Sequence, residues 1–222
     1  MKPLLPEISP ERVCAVVLAG GRGSRMGGID KGLQPFRGQA LAWHAVQRLQ
    51  TQHPASPGCI AINANRNVAH YAQWGLPVWS DASDDFSGPL AGILSALNHC
   101  AELDTAYDYL LTVPCDSPLF PPDLLERLAS ALARSGADIA MVLAPESDPS
   151  GTQTLRAQPV FCLMHTRLRN DLRDYMAQGG RKIDAWTGRH TTVEVAFDQA
   201  GDDPRAFANA NTLAQLQQLE QP

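Results

Sequence analysis

Short apolar runs that alternate with longer segments of helical period constrain this chain more than any other feature. Residues 13–18, 60–63, 77–79, 109–113, 139–143 and 160–164 read as strands. Residues 39–50, 89–100, 121–135 and 168–178 place apolar side chains at three- and four-residue steps, the period of an amphipathic helix. Runs that are apolar throughout belong to strands buried on both faces, as in a parallel sheet covered by crossover helices. Pro121 and Pro122 before Asp123 suit a helix start, where a missing N–H costs nothing and a carboxylate meets the dipole. Residues 193–197 read as a further strand near an edge, and Asn211 and Thr212 as caps of a last helix over 213–220. The polar stretch 145–154 reads as a mobile surface loop. The expectation is a single α/β domain over residues 13–222 with a mostly parallel sheet, preceded by an exposed N-terminal leader, residues 1–12.

Composition excludes several classes. A chain of 222 residues, 44% hydrophobic and 18% charged, suits a soluble globular protein with one good core. No apolar run approaches the roughly 20 residues that span a bilayer. The first residues carry one lysine but too much proline and too little apolar continuity for a signal peptide, so no membrane partner and a cytoplasmic location are expected. Cys14, Cys59, Cys100, Cys115 and Cys162 form no CxxC pair and no cluster at zinc spacing, and read as free thiols in a reducing compartment. The histidines show no HxxxH spacing. A net charge of −5 argues against nucleic acid as a partner. A few cations are nonetheless concentrated: Arg22, Arg25 and Lys31 in one knot, Arg181, Lys182 and Arg189 in another.

The first knot lies in a loop where five glycines, Gly20, Gly21, Gly23, Gly27 and Gly28, fall within nine residues after the first strand. The P-loop pattern GxxxxGK[ST] fails because Ile29 stands where lysine is required, and the dinucleotide pattern GxGxxG fails at Met26. The physics the two patterns share survives, since free backbone N–H groups with nearby cations cradle phosphate. A glycine-rich turn with incidental arginines is the plain alternative. Ligands in open α/β sheets bind beyond the carboxyl ends of the strands. There the second run places Asn63 and Asn65, the third Asp81, and the fourth Asp116. Asp116 is either a turn residue or a ligand for Mg²⁺, which is commonly held by one or two carboxylates plus substrate phosphates. Asn63 either ends a strand or fixes a base or ribose; Asp81 carries the same ambiguity as Asp116, and Asp84 and Asp85 read equally well as a solvated acidic loop.

"LAGGRGSRMGGIDKGL", "NANR", "SGPLAGI", "PCDSP" and "FANANT", in that order, resemble the molybdenum cofactor guanylyltransferase family of the nucleotidyltransferase superfamily. The resemblance runs from about Val13 to about Leu216. It implies a Rossmann-like three-layer α/β fold and transfer of GMP from GTP to molybdopterin carrying molybdenum, giving molybdopterin guanine dinucleotide and pyrophosphate. Leu18, Ala19, Gly20 and Gly21 would contact the nucleotide, Asn63 and Asp81 would hold the nucleoside, and Lys31 would meet phosphate. Asp116 would bind nucleotide and the cofactor Mg²⁺, so that Lys31, Asp116 and Arg25 carry the catalysis. Arg181, Lys182, Asn209 and Asn211 would serve the pterin side. Transient contact with cofactor-delivery proteins or target molybdoenzymes is implied as well. The chain departs from the family pattern at Leu213, where proline often follows "NxNT".

Two other readings stay open. One is a nucleotidyltransferase using CTP and molybdopterin, or a sugar phosphate; "LAGG" rather than "LAAG" favours guanine. The other is a non-catalytic nucleotide- or cofactor-binding module, against which stands the presence of both Lys31 and Asp116.

Overall fold

The computed structural model describes residues 7–19, 30–82, 88–103, 106–147 and 152–221. In chain order the elements are β1 (Val13–Leu18), β2 (Pro35–Phe36), β3 (Gln39–Ala40), α1 (Leu41–Gln50), β4 (Cys59–Asn63), α2 (Val68–Ala72), β5 (Val78–Trp79) and α3 (Pro89–Glu102). They continue as β6 (Tyr109–Pro114), α4 (Leu124–Ser135), β7 (Ile139–Ser147), β8 (Gln153–His165), α5 (Arg169–Ala177), α6 (Ile183–Thr187), β9 (Thr192–Ala196) and α7 (Leu213–Glu220). Among the described residues no helix is long and apolar enough to cross a membrane.

Seven of the described strands form one sheet in the order β5-β4-β1-β6-β8-β7-β9. β5, β4, β1 and β6 are parallel neighbours, β7 and β9 are parallel, and β8 alone runs against both its neighbours. β1 fixes the register of the middle: Leu18 lies opposite Asn63 of β4 on one side and Pro114 of β6 on the other. The chain leaves β1 towards β4 and β5, then resumes at β6 on the opposite flank. Strand order therefore reverses between β1 and β6, the place where open α/β sheets leave a crevice for a ligand.

β1 is buried on both faces, and its side chains alternate between two cores. Val13, Ala15 and Val17 pack with Ala45, Val46 and Leu49 of α1 and Leu124, Leu128 and Leu132 of α4. Cys14 and Val16 pack with Leu90, Ile93 and Leu97 of α3, Leu172 of α5 and Trp186 of α6. Helices on both sides of the sheet make three layers. α7 adds a smaller cluster, in which Leu216 and Leu219 cover Phe36 and Leu41.

Several local expectations change. Pro145, Glu146 and Ser147 pair with Leu155, Thr154 and Gln153, so all of 145–154 that is described, apart from Thr152, is antiparallel ribbon rather than loop. Residues 153–157 of that ribbon are exposed; a ladder whose side chains face water has no need of apolar residues, which is why the stretch carries no strand signal. α4 begins at Leu124, yet Asp123 makes no side-chain cap. Gln52 supplies it, its Oε1 accepting from Leu125 N at 2.8 Å. Thr212 caps α7 by accepting from Gln215 N, while the Asn211 side chain is engaged elsewhere. The described part of the leader is anchored, because Ile8 is buried in the core and Gly58 N donates to Pro10 O at 2.9 Å.

At the amino edge of the sheet, Asp138 ties β7 to β9. Its Oδ2 accepts from Thr191 Oγ1 at 2.6 Å and Oδ1 from Arg167 Nη2 at 2.6 Å. The Thr191 hydroxyl, then the Arg167 guanidinium, hold the Asp138 carboxyl down at about 2 against an ordinary 3.8. A depressed carboxyl contributes stability that is complete above its unfolded pKa and lost as pH falls through the folded one. Asp138→Asn is therefore expected to lower stability at pH 7 and to flatten the loss between about pH 4 and pH 2, read by denaturant unfolding across that range. An acid limb as steep as the parent's would remove Asp138 from this role.

Candidate active site

The turn that follows the glycine-rich loop is built around Asp30. Its Oδ1 accepts from Gly32 N at 3.1 Å and from the Tyr71 hydroxyl at 2.8 Å, and its Oδ2 accepts from Asn67 Nδ2 at 2.9 Å. A Cβ at position 32 would collide with the Tyr71 oxygen, so the close approach of this turn to α2 requires glycine. Burial and the neighbouring Asp30 carboxylate push the Tyr71 phenol up, which keeps it a donor.

The turn aims Lys31 across the end of β1. Its Nζ forms an ion pair with Asp116 Oδ2 and donates to Asn211 Oδ1 at 2.7 Å. The Lys31 and Asp116 side chains are only 21% and 17% exposed. Asp116 sits in the turn beyond β6, and its carbonyl accepts from Ala210 N at 2.8 Å. Next to it Ser117 Oγ donates to Asn209 Oδ1 at 2.7 Å. The segment 209–211 is thereby bound to the end of β6 through two bonds and to Lys31 through a third.

A second polar group occupies the ends of β4 and β5. Asn63, 2% exposed, donates through Nδ2 to Trp79 O at 3.1 Å and Asp81 Oδ1 at 2.9 Å. Asn65 closes a reciprocal pair with Asp81: Nδ2 donates to Oδ2 at 2.7 Å, and Oδ1 accepts from Asp81 N at 2.7 Å. Both Asp81 carboxylate oxygens are thus oriented by amides. Asn65 was placed at this strand end by the sequence, but its role in fixing Asp81 is visible only once β4 and β5 are paired. Gly92 of α3 lies directly over Asn63, where a Cβ would strike Asn63 Oδ1 and come within 3.0 Å of Leu18 Cδ2.

Leu18, Ala19, Lys31, Asp116, Asn209 and Asn211 line one cleft of about 680 Å³ between β1 and β6. The start of α3 closes one side: Gly88, at φ +74°, turns the chain into Pro89 at the first helical position. Residues 158–161 of β8 form the opposite wall, a contribution the sequence hid because their run reads as core. Gly20, Gly21 and Arg25 lie outside the described residues. Arg181 and Lys182 do not line the cleft. Arg181 Nη1 donates to Met176 O at 2.9 Å and Gly180 O at 2.8 Å, closing the carboxyl end of α5. The glycines beside it are accounted for locally, Gly179 by φ +90° and Gly180 by the Tyr175 ring packed over it.

Among the described residues no three acidic, imidazole or thiol side chains gather as a metal cage. Asp116, a hard oxygen donor on the cleft wall, nevertheless fits a Mg²⁺ ion shared with substrate phosphates, which needs only one or two carboxylates.

Residues 15–193 match the MobA-like NTP transferase domain. The chain belongs to this family. It is 56% identical over 214 residues to the molybdenum cofactor guanylyltransferase of Acidovorax ebreus (strain TPSY), covering 96% of this chain and 97% of that protein. It is 55% identical over 207 residues to the one from Ralstonia nicotianae, covering 93% and 95%. Among solved structures, molybdopterin-guanine dinucleotide biosynthesis protein A from Archaeoglobus fulgidus superposes with a TM-score of 0.71 at 19% identity, covering 93% and 96% of the two chains. At that identity the superposition speaks for the fold alone: a three-layer α/β architecture. The cleft described above therefore lies in a MobA-like transferase at the strand-order reversal that the fold uses for ligands.

The contact between Gly92 and Asn63 gives a direct check on the site's packing. Gly92→Ala is expected to cost about 1–3 kcal/mol, as overpacking in a close-packed interior does. It should also displace the Asn63 amide signal in an NMR spectrum. A variant as stable as the parent, with that signal unmoved, would show that α3 does not fix Asn63.

Proposed function

We propose that the chain transfers GMP from GTP to molybdopterin carrying molybdenum, releasing pyrophosphate and forming molybdopterin guanine dinucleotide. The observation that carries this reading is the cleft between β1 and β6, with Lys31 and Asp116 on its wall, in a chain more than half identical to molybdenum cofactor guanylyltransferases. The nucleophile is a phosphate oxygen of the acceptor, ionised at neutral pH, so no general base is required. It forms a bond to the α-phosphorus of GTP while the bond from that phosphorus to the β-bridging oxygen breaks, and the electron pair leaves with pyrophosphate. Catalysis then reduces to alignment and charge stabilisation.

Each residue has a part in that task. The Lys31 ammonium meets the phosphate oxygens on which charge grows. Asp116 would hold Mg²⁺, which when bound neutralises charge on the polyphosphate. Asn63 and Asp81, oriented by Asn65, hold the nucleoside, and Leu18 and Ala19 floor the cleft beneath it. Asn209 and Asn211 face the acceptor, with Arg181 and Lys182 as a second cationic patch for its phosphate. Gly20, Gly21 and Arg25 belong to the phosphate cradle. Delivery proteins or target molybdoenzymes are transient partners, and the reaction takes place in the cytoplasm.

Purified protein incubated with labelled GTP, Mg²⁺ and molybdenum-bearing molybdopterin should release pyrophosphate and yield the labelled dinucleotide, with CTP a poor substitute. Preference for CTP, or binding of GTP without pyrophosphate release, would overturn the reading in favour of a cytidylyltransferase or a binding module. Asp116→Asn should lower turnover by about 10²–10³, the usual loss when a preorganised charge is removed. Lys31→Ala should weaken GTP binding by about 1.5–3 kcal/mol, the worth of a charge-assisted bond. GTP affinity and turnover unchanged in Lys31→Ala would return that lysine to a structural role.

A further inference from the structure

At the amino ends of β1 and β4, away from the cleft, three thiols come together. Cys14 of β1 and Cys59 of β4 are direct cross-strand partners in a parallel ladder. Partners of this kind point to the same face, here the one covered by α3, and Cys100 of α3 packs against them. Cys14 and Cys100 are buried, Cys59 is half-buried, and all three are free. Tyr107 packs against the same group of side chains. None of these groups belongs to the nucleotide cleft.

Register sets this pair apart: Cys14 and Cys59 stand side by side on one face of the sheet, and Cys59 is the one that solvent reaches. The neighbouring Cys14 thiol, and after it the Tyr107 hydroxyl, lower the Cys59 thiol below its ordinary value, against the opposing effect of burial. Cys14 itself is pushed far up by its contacts with Cys100 and Cys59 and by burial, so it remains a protonated thiol. The two other cysteines differ. Burial pushes Cys162 up to about 12 and Cys115 higher still, which leaves both inert.

We propose that Cys59 and Cys14 form a peroxide-sensitive thiol pair, with Cys59 as the reacting thiolate and Cys14 as the resolving thiol. The Cys59 sulfur attacks one oxygen of a hydroperoxide; the O–O bond breaks, and the other oxygen leaves as water or alcohol after taking a proton. Cys59 is then a sulfenic acid. The Cys14 sulfur, giving up its proton, attacks the Cys59 sulfur; the S–O bond breaks and water leaves. Two electrons pass from the sulfurs to the peroxide, and a disulfide joins β1 to β4. Adjacent parallel strands stand ~4.8 Å apart, inside the ~4.4–6.8 Å separation of Cα atoms that a disulfide spans. Only a small oxidant reaches a half-buried sulfur, which selects a peroxide over a bulky disulfide such as oxidised glutathione.

The test uses the reduced full-length protein, treated at pH 7 with a slight excess of hydrogen peroxide, then alkylated and peptide-mapped under non-reducing conditions. Free thiols should fall from five to three, with a cross-linked peptide pair containing Cys14 and Cys59. Cys59 should react at least about tenfold faster than Cys162, as thiolate character dictates. Cys59→Ser should lose no thiol under the same dose, and Cys14→Ala should accumulate a sulfenic acid on Cys59 that dimedone captures. Should either variant fold poorly, the wild-type peptide map decides alone. Five surviving thiols, a disulfide formed only between molecules, or oxidation of Cys115 or Cys162 as fast as Cys59 would overturn the proposal and leave the cluster as ordinary core.

Discussion

One ammonium group ties together parts of the chain that are 85 and 180 residues apart, since Lys31 holds Asp116 at the end of β6 and Asn211 before α7. A cation and a carboxylate that are each about four-fifths shielded from water could not stand there alone, because an unpaired charge taken out of solvent costs several kcal/mol. The three segments therefore require one another. The pairing also makes the group convertible: a polyphosphate with a divalent cation offers the lysine and the aspartate new partners of opposite charge at the same place. An ion pair of this kind adds little to stability and much to the definition of the cleft.

The supports behind Lys31 are of a different sort. Asp30, Asn67 and Tyr71 hold its turn by neutral or singly charged hydrogen bonds, and Asn65 holds Asp81 in the same way on the far side of β4. In both cases an amide or hydroxyl orients a carboxylate that in turn orients something nearer the cleft. Side chains locked by such bonds sit in one rotamer, and a reaction that relies on alignment rather than on a base gains most from that restriction.

The sequence was most legible where physics is local. Strands β1, β4 and β6 announce themselves as unbroken apolar runs because they are buried on both faces, and their predicted ends fall within a residue of the observed ones. Asn63, Asp81 and Asp116 could be singled out because the carboxyl-end rule for α/β sheets says where to look. What stayed hidden depends on partners distant in the chain. Gln52 caps α4 from 73 residues away. The wall made by residues 158–161 follows from β8 entering the sheet antiparallel, which no periodicity encodes. The ribbon in which 145–147 pair with 153–155 imitates a loop, because residues 153–157 face water. That the Arg181 guanidinium also closes the end of α5, through the carbonyls of Met176 and Gly180, is visible only in the folded chain. Asp116 shows the limit most clearly: the residues alone leave it a turn residue or a metal ligand, and the proposal of a metal ligand rests on the resemblance of five ordered motifs.

The same pair of strands carries both chemistries argued for this molecule, at opposite ends. β1 and β4 run in unbroken parallel register from Cys14 and Cys59 to Leu18 and Asn63. Four residue steps at ~3.3 Å separate the thiols from the cleft by about 13 Å, beyond direct contact. The ladder itself is the mechanical link between the two ends. A covalent tie between Cys14 and Cys59 would fix the register that sets Leu18 beside Asn63, and a close-packed interior transmits such a constraint rather than absorbing it. Gly92, packed without a side chain against both Leu18 and Asn63, is where a shift of either strand would be felt first.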